Sequence, residues 1–105
     1  MHRGEVWWAN LPPPIGRRPV LLLSRDAAYQ VRTSITVSVI TRTVRHIPVE
    51  VPLGVEDGMP EKCVVNLDSI MTIPKPLLSE RITMLSHDKI ALVNRAVLFA
   101  LELDT

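Results

Sequence analysis

The rhythm of apolar and polar positions changes several times along this chain, and each change marks an element. Gly4-Glu5-Val6-Trp7-Trp8-Ala9 is rich in β-forming residues and reads as a first strand. Leu11-Pro12-Pro13-Pro14-Ile15-Gly16 breaks it, because consecutive prolines cannot donate to a ladder. Arg18-Pro19-Val20-Leu21-Leu22-Leu23-Ser24 is nearly all apolar after Pro19, the pattern of a strand buried on both faces. Asp26-Ala27-Ala28-Tyr29 predicts a turn or a short helical segment. From Ser34 to Thr43 the alternation is clear: Ile35, Val37 and Val39 interleave with Ser34, Thr36 and Ser38. Val44-Arg45-His46 turns the chain. Ile47, Val49 and Val51 then alternate with Pro48 and Glu50 in a further strand, which Pro48 and Pro52 place at a sheet edge. Gly54 to Pro60 is a loop by its turn residues. Lys62 to Leu67 and Ser69 to Ile73 predict two short strands meeting at Asp68. Pro74-Lys75-Pro76 ends them, and Ile82-Thr83-Met84-Leu85 closes the sheet.

After Ser86 the period lengthens to that of a helix, running to Leu103. Ile90, Val93, Val97 and Leu101 recur at helical spacing with Leu98 beside them. Ser86 is a good N-cap and Asp88 complements the N-terminal dipole, although Lys89 stands where a capping box would want Glu or Gln. The expected architecture is mainly β: a small, strongly bent antiparallel sheet or barrel of six or seven strands with a C-terminal helix, forming one domain over residues 1–105.

Charge changes this picture more than composition does. The formal net charge of +1 conceals an asymmetry. Residues 1–48 carry seven arginines against Glu5 and Asp26, a net +5, whereas residues 49–105 sum to −4. An arginine-only cationic half is either a solvated face or a phosphate-binding surface, since the guanidinium fork matches phosphate oxygens. No apolar run approaches the length of a membrane span. No stretch has the form of an export signal, and the single cysteine, Cys63, cannot form an internal disulfide. The cytoplasm is therefore the expected compartment.

Metal chemistry finds no support: His2, His46, His87 and Cys63 lack ligand spacing, so no metal and no cofactor is expected. Gly4, Gly16, Gly54 and Gly58 are too far apart for a phosphate loop, and G-x-S-x-G is missing. What remains is arginine, hydroxyls and an acid at strand ends. Arg18 opens a buried strand, Thr41 lies near the end of the alternating one with Arg42 and Thr43 behind it, and Asp68 lies at the kink between two strands, flanked by Asn66 and Ser69. By spacing alone these are first of all a surface arginine, a strand threonine and a turn residue.

Taken in order, however, the segments resemble the MazF/PemK family of toxins. The opening Arg3-Gly4-Glu5-Val6-Trp7-Trp8-Ala9-Asn10-Leu11 is similar to that family's first signature. Arg18-Pro19-Val20-Leu21-Leu22-Leu23-Ser24 and Val37-Ser38-Val39-Ile40-Thr41 resemble its second and central strands. Glu50-Val51-Pro52-Leu53, Asn66-Leu67-Asp68-Ser69-Ile70-Met71-Thr72-Ile73, Leu78-Ser79-Glu80-Arg81-Ile82 and the helix ending Ala100-Leu101-Glu102-Leu103 continue the likeness.

The resemblance implies an SH3-like small barrel of the CcdB/PemK type that works as a homodimer. It implies a type II toxin, an mRNA interferase that cuts single-stranded RNA at short sequences without metal and is neutralised by a cognate MazE-like antitoxin peptide. Its catalytic arginine falls on Arg18 and its threonine on Thr41, and the acid used by some members falls on Asp68. Arg17, Arg42, Arg45, Asn66 and Ser69 are the accompanying candidates for RNA contact. Two departures stand out: Asn66 replaces an arginine, and the first loop is a short Pro12-Pro13-Pro14-Ile15-Gly16-Arg17. The rivals are a gyrase poison on the same barrel, which needs no Arg–Thr pair, and a non-catalytic RNA- or peptide-binding module.

Overall fold

The computed structural model describes residues 1–103. Six strands are formed: β1 (Glu5–Asn10), β2 (Arg17–Leu22), β3 (Ser34–Thr41), β4 (Glu50–Leu53), β5 (Cys63–Pro74) and β6 (Leu78–Met84). A one-turn helix α1 (Ala28–Val31) links β2 to β3, and helix α2 (His87–Ala100) follows β6. The strands make one curled antiparallel sheet in the order β4-β5-β3-β2-β1-β6. The mainly β architecture with a C-terminal helix thus holds, with β4 at an edge as its prolines require.

Alternation sends the side chains of each strand to two apolar clusters. On one face Val6, Leu21, Ile40, Val51, Leu53, Val65 and Leu67 pack beneath α2, which contributes Val93 and Ala96. On the other, Ala9, Val20, Leu22, Ile35, Val37 and Ile73 pack with Tyr29 of α1. β2 is buried on both faces, as its apolar run predicts. The curl brings the turn after β4 against β6. Thr83 Oγ1 donates to the Asp57 carbonyl at 3.0 Å. Gly58 has φ +89°, and a Cβ there would stand 2.3 Å from Thr83 Oγ1, so this approach requires glycine.

Three expectations are corrected. The two short strands meeting at Asp68 are one continuous β5 of 12 residues. A register shift replaces the break: Ser38 pairs with Ile70 but Ile40 with Val65, so residues 66–69 form a bulge. The Ser38 hydroxyl is buried and donates to the Asn66 carbonyl at 2.5 Å, which holds the bulge to β3 without ending the ladder. β4 is shorter than the alternation suggests, leaving Ile47 and Val49 in the preceding loop. α2 stops at Ala100, and its buried residues are Val93 and Ala96, whereas Leu98 and Leu101 are exposed. The N-cap is as expected, with Ser86 Oγ accepting from the Lys89 amide at 3.3 Å. No described helix is long and apolar enough to cross a membrane.

Candidate active site at the sheet rim

β2 pairs with β3 through Val20–Val39, Leu21–Ser38 and Leu22–Val37. The same register continued by two residues sets Arg18 opposite Thr41, beyond the last ladder pair and at the rim of the sheet. Side chains directly opposite in an antiparallel pair share a face and touch. Arg18 and Thr41 are both half-buried, and both line the same two cavities. They form the ridge where the two faces of the sheet meet.

The first cavity, about 230 Å³, lies on the face that α2 covers further along. Besides the pair it is lined by Trp8, Arg17, Arg42 and Glu61 at its walls and by Ile40, Met59 and Cys63 deeper in. Arg17 lies over the Trp8 ring, with its guanidinium carbon 4.3 Å from the centroid. Arg42 Nη1 stands 3.6 Å from Glu61 Oε1. Burial, together with the charges of Glu61 and Asp57, pushes the Cys63 thiol up to about 11. The second cavity, about 370 Å³, opens on the other face, between Pro14, Ile15, Val39, Ser69, Ile70 and Met71. Its lining is apolar apart from the shared pair and Ser69.

The sequence candidates therefore divide. Arg18, Thr41, Arg17, Arg42 and Ser69 meet at the ridge. Asp68, Asn66 and Arg45 line neither cavity. Asp68 is exposed on the bulge, where its amide donates to Asn66 Oδ1 at 2.9 Å. Arg45 sits in the β3–β4 loop, its amide donating to Glu50 Oε1 at 2.9 Å. Glu61, Met59 and Cys63 escaped sequence reasoning. They reach the ridge because Thr41 pairs with Val64, a long-range register that no local pattern encodes.

Trp7 and Trp8 take opposite faces. Trp7 Nε1 donates to Glu5 Oε1 at 2.9 Å and the ring packs against the second apolar cluster. Burial raises the Glu5 pKa, but the Trp7 bond, the His2 amide and the nearby Arg81 outweigh it and hold the carboxyl below its ordinary value. Among the described residues no group of three or more His, Cys, Asp or Glu side chains is placed to hold a metal ion. A pair that combines a bidentate cation with a hydroxyl donor, at the bottom of an arginine-lined mouth, is suited to stabilise charge on a phosphoryl group.

Comparison with known proteins gives this arrangement a context. A family profile described as "PemK-like, MazF-like toxin of type II toxin-antitoxin system" matches residues 2–101. A probable endoribonuclease MazF2 of Mycobacterium tuberculosis is 44% identical over 87 residues, covering 82% of this chain and 83% of that protein. A probable endoribonuclease MazF5 of the same organism is 40% identical over 101 residues, covering 95% and 88%. Among solved structures, the Mycobacterium tuberculosis toxin MazF-mt6 superposes with a TM-score of 0.88 at 33% identity, over 96% of this chain and 99% of that one. An endoribonuclease in complex with its cognate antitoxin from Mycobacterial species gives a TM-score of 0.88 at 27% identity, over 100% and 98%.

Proposed function

This chain belongs to the family of PemK-like, MazF-like toxins of type II toxin–antitoxin systems, and from that membership we propose that it is an endoribonuclease whose cutting site is the Arg18–Thr41 ridge. The observation that carries the assignment is the convergence of those two side chains from neighbouring strands on one pair of cavities. The family match over residues 2–101 supports one toxin domain acting on single-stranded RNA in the cytoplasm.

In the reaction, the ribose 2′-oxygen attacks the adjacent phosphorus and the bond from phosphorus to the 5′-oxygen breaks. The products are a 2′,3′-cyclic phosphate and a 5′-hydroxyl. Negative charge accumulates on the equatorial oxygens of the pentavalent phosphoryl group. Arg18 offers two parallel N–H bonds to those oxygens and Thr41 a third donor. One preorganised donor is worth about 3–4 kcal/mol of barrier. An arginine is too basic to accept the 2′-hydroxyl proton. Glu61 is the carboxylate lining the cavity beside the pair and takes that role. The proton then passes to the departing 5′-oxygen. The chemistry uses no metal.

Partners follow from the same surface. The antitoxin-bound relative supports a cognate antitoxin, and a cationic mouth beside an apolar cavity fits a disordered acidic peptide with apolar anchors. Large apolar side chains left exposed on α2, among them Leu98 and Phe99, support pairing of two copies into a homodimer. The discriminating experiment is incubation of a long RNA with and without EDTA, followed by mapping of the cut ends. Cleavage persists in EDTA, the ends are cyclic phosphate and 5′-hydroxyl, and deoxyribose at the cut site abolishes it. Undiminished cutting of the deoxy substrate would refute the mechanism.

A further inference from the structure

Two adjacent tryptophans have opposite fates in β1, and only one of them is accounted for by packing. Trp7 is tied to Glu5 and to the second apolar cluster. Trp8 lies across from Pro19, in the strand pair where Ala9 faces Arg18, and lines the first cavity with Arg18 and Thr41. Its ring is half-buried and covered by the Arg17 guanidinium at 4.3 Å. Arg17 is itself weakly held. Its side chain is 52% exposed, and its nearest carboxylate, Glu80 Oε2, is 3.9 Å away on a side chain that is 72% exposed. Such a surface pair does little to fix a guanidinium.

We propose that Trp8 is the stacking platform for an unpaired RNA base next to the cut phosphate, and that Arg17 occupies the place of that base in the RNA-free protein. The inference rests on the nuclease reading for what the phosphate does, but not for the binding of the base. A guanidinium is flat and cationic, so it covers an indole face much as a base does. A stacked base gains more than an exposed cation–π contact, so the exchange favours the base. The displaced guanidinium then lies free at the mouth, where it can pair with a phosphate. The geometry makes this a division of labour across the rim: the phosphate rides on the Arg18–Thr41 ridge, and the base turns over the edge onto the face that carries Trp8. Stacking reads every base alike, so Trp8 supplies affinity at this position rather than sequence choice.

The test uses the full chain and a single-stranded RNA oligomer with deoxyribose at the cut site. The chain has two tryptophans, so Trp7→Phe leaves Trp8 as the sole indole reporter and Trp8→Phe leaves Trp7. Saturation with the oligomer quenches the emission of Trp7→Phe and leaves that of Trp8→Phe unchanged. Trp8→Ala binds the oligomer about tenfold more weakly or worse, and Trp8→Phe, which keeps a ring, recovers most of the loss. Circular dichroism controls for folding, and the ring-retaining variant keeps the test valid if Trp8→Ala unfolds. Unchanged Trp8 emission at saturation, or Trp8→Phe quenched like Trp7→Phe, overturns the platform even if the wild-type protein cleaves RNA. Trp8 quenching by a protein that cleaves no RNA supports the platform and strikes the nuclease reading instead. Failure of the wild-type protein to bind the oligomer at all overturns the platform.

Discussion

The two cavities that meet at Arg18 and Thr41 are built from opposite faces of one sheet, and they differ in chemistry. The first has arginines and a carboxylate around an indole, with a thiol and a thioether beneath. The second is walled by Pro14, Ile15, Val39, Ile70 and Met71. One suits a phosphodiester and its base, and the other suits apolar side chains of a peptide. A ligand that fills either cavity must contact the same ridge. On the proposed assignment of the ridge, substrate and inhibitor compete for it without any second conformation of the protein.

The shared ridge gives the largest expected effect. Arg18→Ala and Thr41→Ala each lower single-turnover cleavage about a hundredfold or more while circular dichroism is unchanged. Wild-type rates for both would remove the ridge from the chemistry. Arg18→Lys keeps charge but loses the fork, so it falls close to Arg18→Ala if bidentate geometry is what matters.

Next come the two carboxylates. Glu61 lines the first cavity and Asp68 lines neither, so Glu61→Gln slows cleavage by about a hundredfold and Asp68→Asn leaves it near wild type. The reverse order would move the proton acceptor onto the bulge. Smaller effects separate the cavities. Ile15→Ser, in an exposed loop, weakens an acidic antitoxin peptide several-fold and leaves RNA binding alone. Arg42→Ala reduces the slope of log affinity against log salt for RNA by about one, whereas Ile15→Ser leaves that slope unchanged.

The smallest effect concerns Cys63, deep in the first cavity. Its pKa is raised from 9.0 to about 11, so the native thiol stays protonated at pH 8 and alkylates slowly. Labelling accelerates as pH climbs toward that value, and bound RNA slows it. Rapid alkylation at pH 8 would show that the first cavity is more open than its lining suggests.

What the sequence could tell varied with the range of the interaction. β3 was legible because Ile35, Val37 and Val39 alternate locally, and the start of α2 because Ser86 caps it within one turn. Arg18 and Thr41 were singled out by family resemblance and strand-end position; their juxtaposition depends on β2–β3 register. The continuity of β5 was hidden, since Asn66, Asp68 and Ser69 look like turn residues until Ser38 from another strand anchors them. Leu98 and Leu101 fit the apolar stripe of α2, yet the face that packs on the sheet is that of Val93 and Ala96, flanked by Ile90, Val97 and Ala100. Glu61 carried no local signal at all, because a loop residue acquires its neighbours only when β5 docks on β3.

The bulge in β5 has a thermodynamic consequence. By shifting register at residues 66–69, a single strand sends Cys63, Val65 and Leu67 into the cluster beneath α2 and Ile73 into the opposite one. The two clusters thus share a covalent beam rather than a flexible joint, and neither can melt without withdrawing part of the other's lining. Unfolding is then a single cooperative event. In a calorimeter the protein should give one endotherm whose van't Hoff and measured enthalpies agree, and a substitution such as Leu67→Ala in one cluster should lower that one transition by about 2–5 kcal/mol in stability rather than split it in two.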